Sequence, residues 1–139
     1  MLREEGLEAV LARHRRHALA TRRAVEAWGL EVLCADPREH SATLTAVLVP
    51  DGVDADELRR VVLERFDMAL GAGLGKLRGK VFRIGHLGAL NDLMLASALC
   101  GVEMGLRIAG APVERGGVDA ALEVLELEGD RVHAAEPLT

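Results

Sequence analysis

Residues 71–88, GAGLGKLRGKVFRIGHLG, hold six of the fifteen glycines in a chain of 139 residues, and this run limits what the polypeptide can become more than any other. Glycine at this density marks backbone that turns sharply or lies close against something else. The apolar stretch that follows, Val81-Phe82-Arg83-Ile84-Gly85, reads as a short strand. Arg83 alternates with Phe82 and Ile84, so it points to the opposite face of that strand. One fixed guanidinium beside open backbone suits a small carboxylate or phosphate. Gly71, Gly73 and Gly75 form the candidate active-site loop beside it. The plainer alternative is a glycine-rich hairpin loop with solvated lysines.

Two phosphate-binding motifs are absent from the run. A P-loop requires G-x-x-x-x-G-K-[ST], but Leu77 follows Gly75-Lys76 and Leu70 stands where the first glycine belongs. The dinucleotide fingerprint G-x-G-x-x-G is also missing, and the glycines lead into a strand rather than a helix.

Before this run the periodicity predicts one long helix over 2–28. Leu7, Val10, Leu11, His14, His17, Ala18, Thr21, Val25 and Trp28 recur at three- and four-residue steps, and Gly29 stops the helix. The Arg13-His14-Arg15-Arg16-His17 run reads as a solvated helix face. His14 and His17 could reach one metal ion, but no third ligand is suggested nearby, so no metal site is assigned. The roles of His14, His17 and His86 stay open. Short strands are expected over 30–34, 41–49 and 67–70. A helix from Asp54, with Asp54-x-x-Glu57 as a capping-box-like start, runs to about Phe66. Leu58, Val61, Val62 and Phe66 face inward from it. Asn91 is the expected N-cap of a largely apolar helix over 92–109. Ser97, Gly101 and Gly105 lie on one face of that helix and let a neighbour approach closely, and Glu103 pairs with Arg107 one turn on. A last helix spans about 118–127.

The fold expected is α+β: a small antiparallel, or mixed, sheet of three to four strands with helices on one face, in the order α-β-β-α-β-β-α-α. The division expected is a long connecting helix over 1–29, the domain proper over 30–128 and a loose tail over 129–139.

Composition excludes several function classes. A net charge of −5 argues against a general nucleic-acid binder, and Trp28, Phe66 and Phe82 are too few aromatics for a stacking platform. The longest apolar run, 93–102, is too short for a membrane span, so no membrane partner is expected. Cys34 and Cys100 lack CxxC spacing and read as reduced, buried thiols of a cytoplasmic protein.

A resemblance emerges from Glu4-Glu5-Gly6-Leu7, Arg13-His14, Thr21-Arg22, Ala27-Trp28-Gly29-Leu30 and the 71–88 run followed by Asn91-Asp92. Gly101-Val102-Glu103-Met104-Gly105-Leu106 and Gly116-Gly117-Val118 add to it. With these the chain resembles the C-terminal, small domain of the class V (fold-type I) pyridoxal-phosphate aminotransferases. The group is that of the serine–glyoxylate, alanine–glyoxylate and serine–pyruvate enzymes.

The resemblance implies a parent enzyme that moves an amino group between a small amino acid, serine or alanine, and a 2-oxo acid, glyoxylate or pyruvate. A large N-terminal domain would bind pyridoxal phosphate, supply the Schiff-base lysine and form most of a homodimer. The small domain would close over the site, with Arg83 pairing with the substrate carboxylate. The chain departs from the family in lacking the whole cofactor domain. Lys76 and Lys80 do not stand in the Schiff-base context, and no aspartate can be assigned to a pyridine nitrogen. The chain is therefore expected to be a fragment with no catalytic residue of its own, inactive alone and binding no cofactor by itself. The alternative is a stand-alone small-molecule-binding or dimerisation module without catalysis.

Overall fold

The computed structural model describes residues 2–134. Residues 135–139 of the expected tail lie outside the described residues. A short helix α1 (Leu2–Glu5) and a long helix α2 (Leu7–Ala27) replace the single helix expected. Gly6 separates them at φ 88°, a left-handed value that breaks the helical ladder. The expected apolar stripe of α2 is buried at Val10 and from His14 onward, but Leu7 and Leu11 are 63% and 43% exposed. The first turn of α2 overhangs the core.

Helix α2 ends in a Schellman motif, with Gly29 N–H donating to Glu26 O and Leu30 N–H to Val25 O. Gly29 takes φ 78°, as that motif demands. Strand β1 (Glu31–Val32) follows, and a 3₁₀ turn at Pro37–Glu39 leads to β2 (Leu44–Leu48). Helix α3 (Ala55–Phe66) starts at Asp54, whose carboxylate accepts from Asp56 N–H. Glu57 does not complete the capping box, since its carboxylate is held by Arg60.

The strand expected over 67–70 does not form. Asp67 adopts a left-handed φ of 52° as the C-cap of α3, and the strand falls instead on β3 (Gly71–Ala72). Strand β4 (Val81–Gly85) forms as expected. Helices α4 (Asp92–Ile108) and α5 (Gly117–Ala134) complete the chain. Asn91 Oδ1 caps α4 by accepting from Met94 N–H. Helix α5 continues to Ala134, through much of the stretch expected as tail.

The sheet is antiparallel throughout, in the order β1-β2-β4-β3. All its core contacts lie on one face, where Val47, Phe82 and Ile84 meet α2, α3, α4 and α5. On β2 the buried residues are Thr45 and Val47, while Leu44 and Leu48 sit on the less covered face. Helix α2 belongs to the core rather than merely leading into it, contributing Ala20, Ala24, Val25 and Trp28.

The small residues of α4 act as expected. A Cβ added at Gly101 would stand 2.8 Å from Met68 Cε, and one at Gly105 2.5 Å from Val62 Cγ2, so α3 approaches α4 closely there. The Glu103–Arg107 pair does not form. Glu103 turns inward and accepts from Gly116 N–H at 3.1 Å and Val118 N–H at 3.3 Å, holding the start of α5. Cys34 and Cys100 are free and only half-buried, because Cys34 lines a groove beside β1 and β2 and Cys100 one beside α4. Among the described residues no helix is long and apolar enough to cross a membrane.

Candidate functional site

Alternation along β4 sends Phe82 and Ile84 into the core, at 0% and 2% exposure, and turns Arg83 to the helix-free face of the sheet. The register places Ala46 of β2 on one side of Arg83 and Gly71 of β3 on the other. Two of the smallest residues therefore flank the longest side chain on this face. A Cβ added at Gly71 would lie 2.9 Å from Arg83 Cβ and 3.0 Å from Arg83 Nε. The arginine stem and the start of its guanidinium occupy the space that a side chain at 71 would fill.

No carboxylate among the described residues pairs with Arg83. Its Nε is buried without a hydrogen-bond partner. A guanidinium held half-buried and unpaired can bind an external carboxylate through charge-assisted hydrogen bonds. Surface arginines elsewhere in this chain behave differently: Arg38 pairs with Asp36, and Arg60 with Glu57 and Glu64.

The three loop glycines do different things. Gly71 lies in β3 against Arg83. A Cβ at Gly73 would run into the Leu77 carbonyl, so that glycine permits a tight turn. Gly75 takes φ 55° at the start of the 3₁₀ turn Gly75–Leu77 and faces open space. Only Gly71 touches the candidate ligand-binding side chain.

The end of β4 continues into a joint over residues 86–91, and here the sequence reading needs correction. The Arg-His run of α2 is not a solvated face. Arg13 donates to the carbonyls of Gly88, at 2.7 Å, and Leu90, at 3.0 Å, and also pairs with Glu5. His14 Nδ1 donates to Val10 O and its Nε2 accepts from Gly88 N–H, which defines a neutral tautomer. Arg16 and His17 both bond Asp92 Oδ1, at the start of α4. Burial would raise the Asp92 pKa, but hydrogen bonds from Arg16 and His17 outweigh it and hold the group below the usual carboxylate range. Burial pushes His17 down, against the pull of Asp92.

His86, the first residue after β4, is fully buried. Its Nδ1 donates to Ala42 O at 3.0 Å, and Thr45 Oγ1 donates to its Nε2 at 2.9 Å. Burial pushes its pKa down to about 4, so the ring is neutral near pH 7. His86 thus fastens the end of β4 to β2, and His14 and His17 fasten the joint after it and the start of α4 to α2. The charge run in the sequence shows its residue types but not what packs against them, so this anchoring was not legible. Its one local signal is the i, i+3 spacing of His14 and His17 on the apolar side of the helix.

Pyridoxal phosphate does not fit the residues present. A Schiff base needs a lysine aimed into the site, but both lysines, Lys76 and Lys80, are exposed on the surface between β3 and β4. What this chain offers is an unpaired arginine on the helix-free face of the sheet.

No protein-family model matches the chain. It is 51% identical, over 124 residues, to serine–glyoxylate aminotransferase of Arabidopsis thaliana, matching 88% of this chain and 31% of that protein. It is 48% identical, over 120 residues, to L-aspartate–glyoxylate aminotransferase of Paracoccus denitrificans, with 86% and 30% covered. Among solved structures, pyridoxamine–pyruvate aminotransferase from Mesorhizobium loti superposes with a TM-score of 0.84 at 38% identity, over 90% of this chain and 32% of that one. The chain thus spans about a third of the length of the relatives it matches, in their C-terminal portion.

Proposed function

We propose, from the premise that the chain belongs with the C-terminal domain of the class V pyridoxal-phosphate aminotransferases, that it is the substrate-closing part of such an enzyme. In the complete enzyme it covers the site and presents Arg83 to the carboxylate of a small amino acid or 2-oxo acid. Serine or alanine as donor, and glyoxylate or pyruvate as acceptor, agree with relatives named for serine–glyoxylate, alanine–glyoxylate and pyridoxamine–pyruvate transfer. The cofactor and its lysine belong to the remaining two thirds of the enzyme, the large domain that is the chain's expected partner, in a dimer.

The observation that carries this reading is the unpaired Arg83 guanidinium between Ala46 and Gly71 on the helix-free face of the sheet. Donor and acceptor share a carboxylate next to the reacting carbon, so one fixed cation serves both half-reactions. Its planar fork sets the orientation of the bound acid, which is where positioning contributes to rate. The strand is rigid on its other face, because Phe82 and Ile84 are locked in the core.

Arg83→Ala in the complete enzyme tests the reading. Loss of a charge-assisted pair is worth about 2–3 kcal/mol, so kcat/KM should fall by about 100-fold, with KM rising for both amino acid and oxo acid. An unchanged kcat/KM would remove Arg83 from the substrate site.

A further inference from the structure

We infer that Gly71 is a positioning residue for Arg83: its missing side chain is the slot in which the guanidinium is held, so that an incoming carboxylate meets the two terminal nitrogens end-on rather than Nε. This rests on the proposed role of Arg83 and adds to it a second residue and a direction of approach.

Three observations carry it. First, Gly71 and Arg83 are directly opposed in the β3–β4 register. Second, a Cβ at 71 would come within 2.9 Å of Arg83 Cβ, 3.0 Å of Nε and 3.5 Å of Cζ, so stem and guanidinium both lie over the glycine. A strand position normally carries a side chain, and glycine in a strand marks a close approach. Here the approaching group is the arginine itself. Third, Nε is buried and unpartnered, whereas neither terminal nitrogen is among the buried unpartnered atoms and neither has a protein partner among the described residues. A carboxylate reaching from outside the sheet can therefore bridge Nη1 and Nη2, but it cannot displace β3 to reach Nε. On the opposite flank Ala46 is small enough to leave the guanidinium's far edge open.

The three atoms nearest a side chain at 71 all belong to Arg83, so Gly71 acts through Arg83. Any side chain at 71 must push the guanidinium out of its slot or push β3 off the sheet edge. The other glycine of this face, Gly85, provides the control: it lies on β4 two residues after Arg83, and a Cβ there meets nothing within 4 Å.

The test has two arms. In ¹⁵N-labelled chain, the Arg83 Nε–H should exchange with solvent at least about 100-fold more slowly than that of Arg78, which is exposed. Gly71→Ala should raise the Arg83 rate about tenfold or more, while Gly85→Ala leaves it alone. Fast exchange at Arg83 in the unmodified chain overturns the inference, and needs no variant to fold. In the complete enzyme, Gly71→Ala should raise KM for both carboxylate substrates about tenfold with a smaller change in kcat. Gly71→Ala combined with Arg83→Ala should be no worse than Arg83→Ala alone. Additive losses, or a Gly71→Ala enzyme with unchanged KM, overturn the role of Gly71 and leave that of Arg83 standing. A silent Arg83→Ala enzyme overturns the functional reading instead.

Discussion

A second proton on His86 would put a buried positive charge on a ring whose Nδ1 already donates to Ala42 O and whose Nε2 accepts from the Thr45 hydroxyl. Burial, the main cause, lowers its pKa from 6.5 to about 4, with His17, Arg22 and His14 nearby adding smaller repulsion. The folded state thus favours the neutral ring. The stability this contributes is complete above pH 6.5 and is lost as pH falls through about 4, an effect of about 3 kcal/mol across that window. His17, lowered by burial, acts in the same direction. Asp92, held low by Arg16 and His17, adds a further loss once the pH falls through its own depressed value. Urea midpoints should therefore fall steadily between pH 7 and pH 4. A midpoint that stays level across that range would show that these rings are not held neutral by the fold. At neutral pH, Thr45→Val leaves His86 Nε2 buried without a donor and should cost about 1–3 kcal/mol, read from the same urea curves.

At the scale of the elements, Glu103 separates what the sequence shows from what it hides. Spacing alone suggests an (i, i+4) pair with Arg107, worth a few tenths of a kcal/mol. The carboxylate instead accepts from two backbone N–H groups at the start of α5, where the helix dipole also favours negative charge. Glu103→Ala should then destabilise the fold by about 1–3 kcal/mol, while Arg107→Ala should change it by less than about 0.5 kcal/mol. Thermal or urea unfolding of the two variants decides between the pairings, and equal effects would favour the local one.

The same contrast runs through the chain. Strand β4, with Arg83 facing away from Phe82 and Ile84, was legible because alternation is a local signal. So were the Asn91 cap and the close approach at Gly101 and Gly105, where small residues recur on one helix face. Strand β3 was misplaced because its residues are Gly71 and Ala72, which have no side-chain pattern, and their pairing is set by Arg83 and Phe82 of β4. The Arg-His run of α2 was misread because its partners are backbone groups at 88–92, far along the chain and invisible to periodicity. Of the candidate site, the strand and the face on which Arg83 stands could be read, but not the slot that holds the side chain.

The whole molecule carries more exposed apolar surface than its core requires. Leu93 is 81% exposed, Leu87 69% and Met94 51%. A groove of about 640 Å³ runs between α3 and α4, lined by Phe66, Met68, Leu90, Met94 and Met104. On the helix-free side of the sheet, Leu33 and Leu44 are 38% and 37% exposed. Scattered apolar residues are ordinary on a protein surface, but contiguous ones favour association. In isolation the chain should therefore self-associate at high concentration. Leu93→Lys with Met94→Lys should shift it toward monomer in sedimentation velocity, and a wild-type chain that stays monomeric at millimolar concentration would refute this.

Gly71 and Arg83 share one volume, although they belong to different strands. Neither can drift alone over generations: enlarging residue 71 displaces the arginine, and shortening residue 83 leaves a gap at the sheet edge. Changes tolerated at one position therefore depend on what already stands at the other. On the role proposed for Arg83, a protein without carboxylate substrates would be released from both constraints at once, and its edge strand would be free to acquire a side chain.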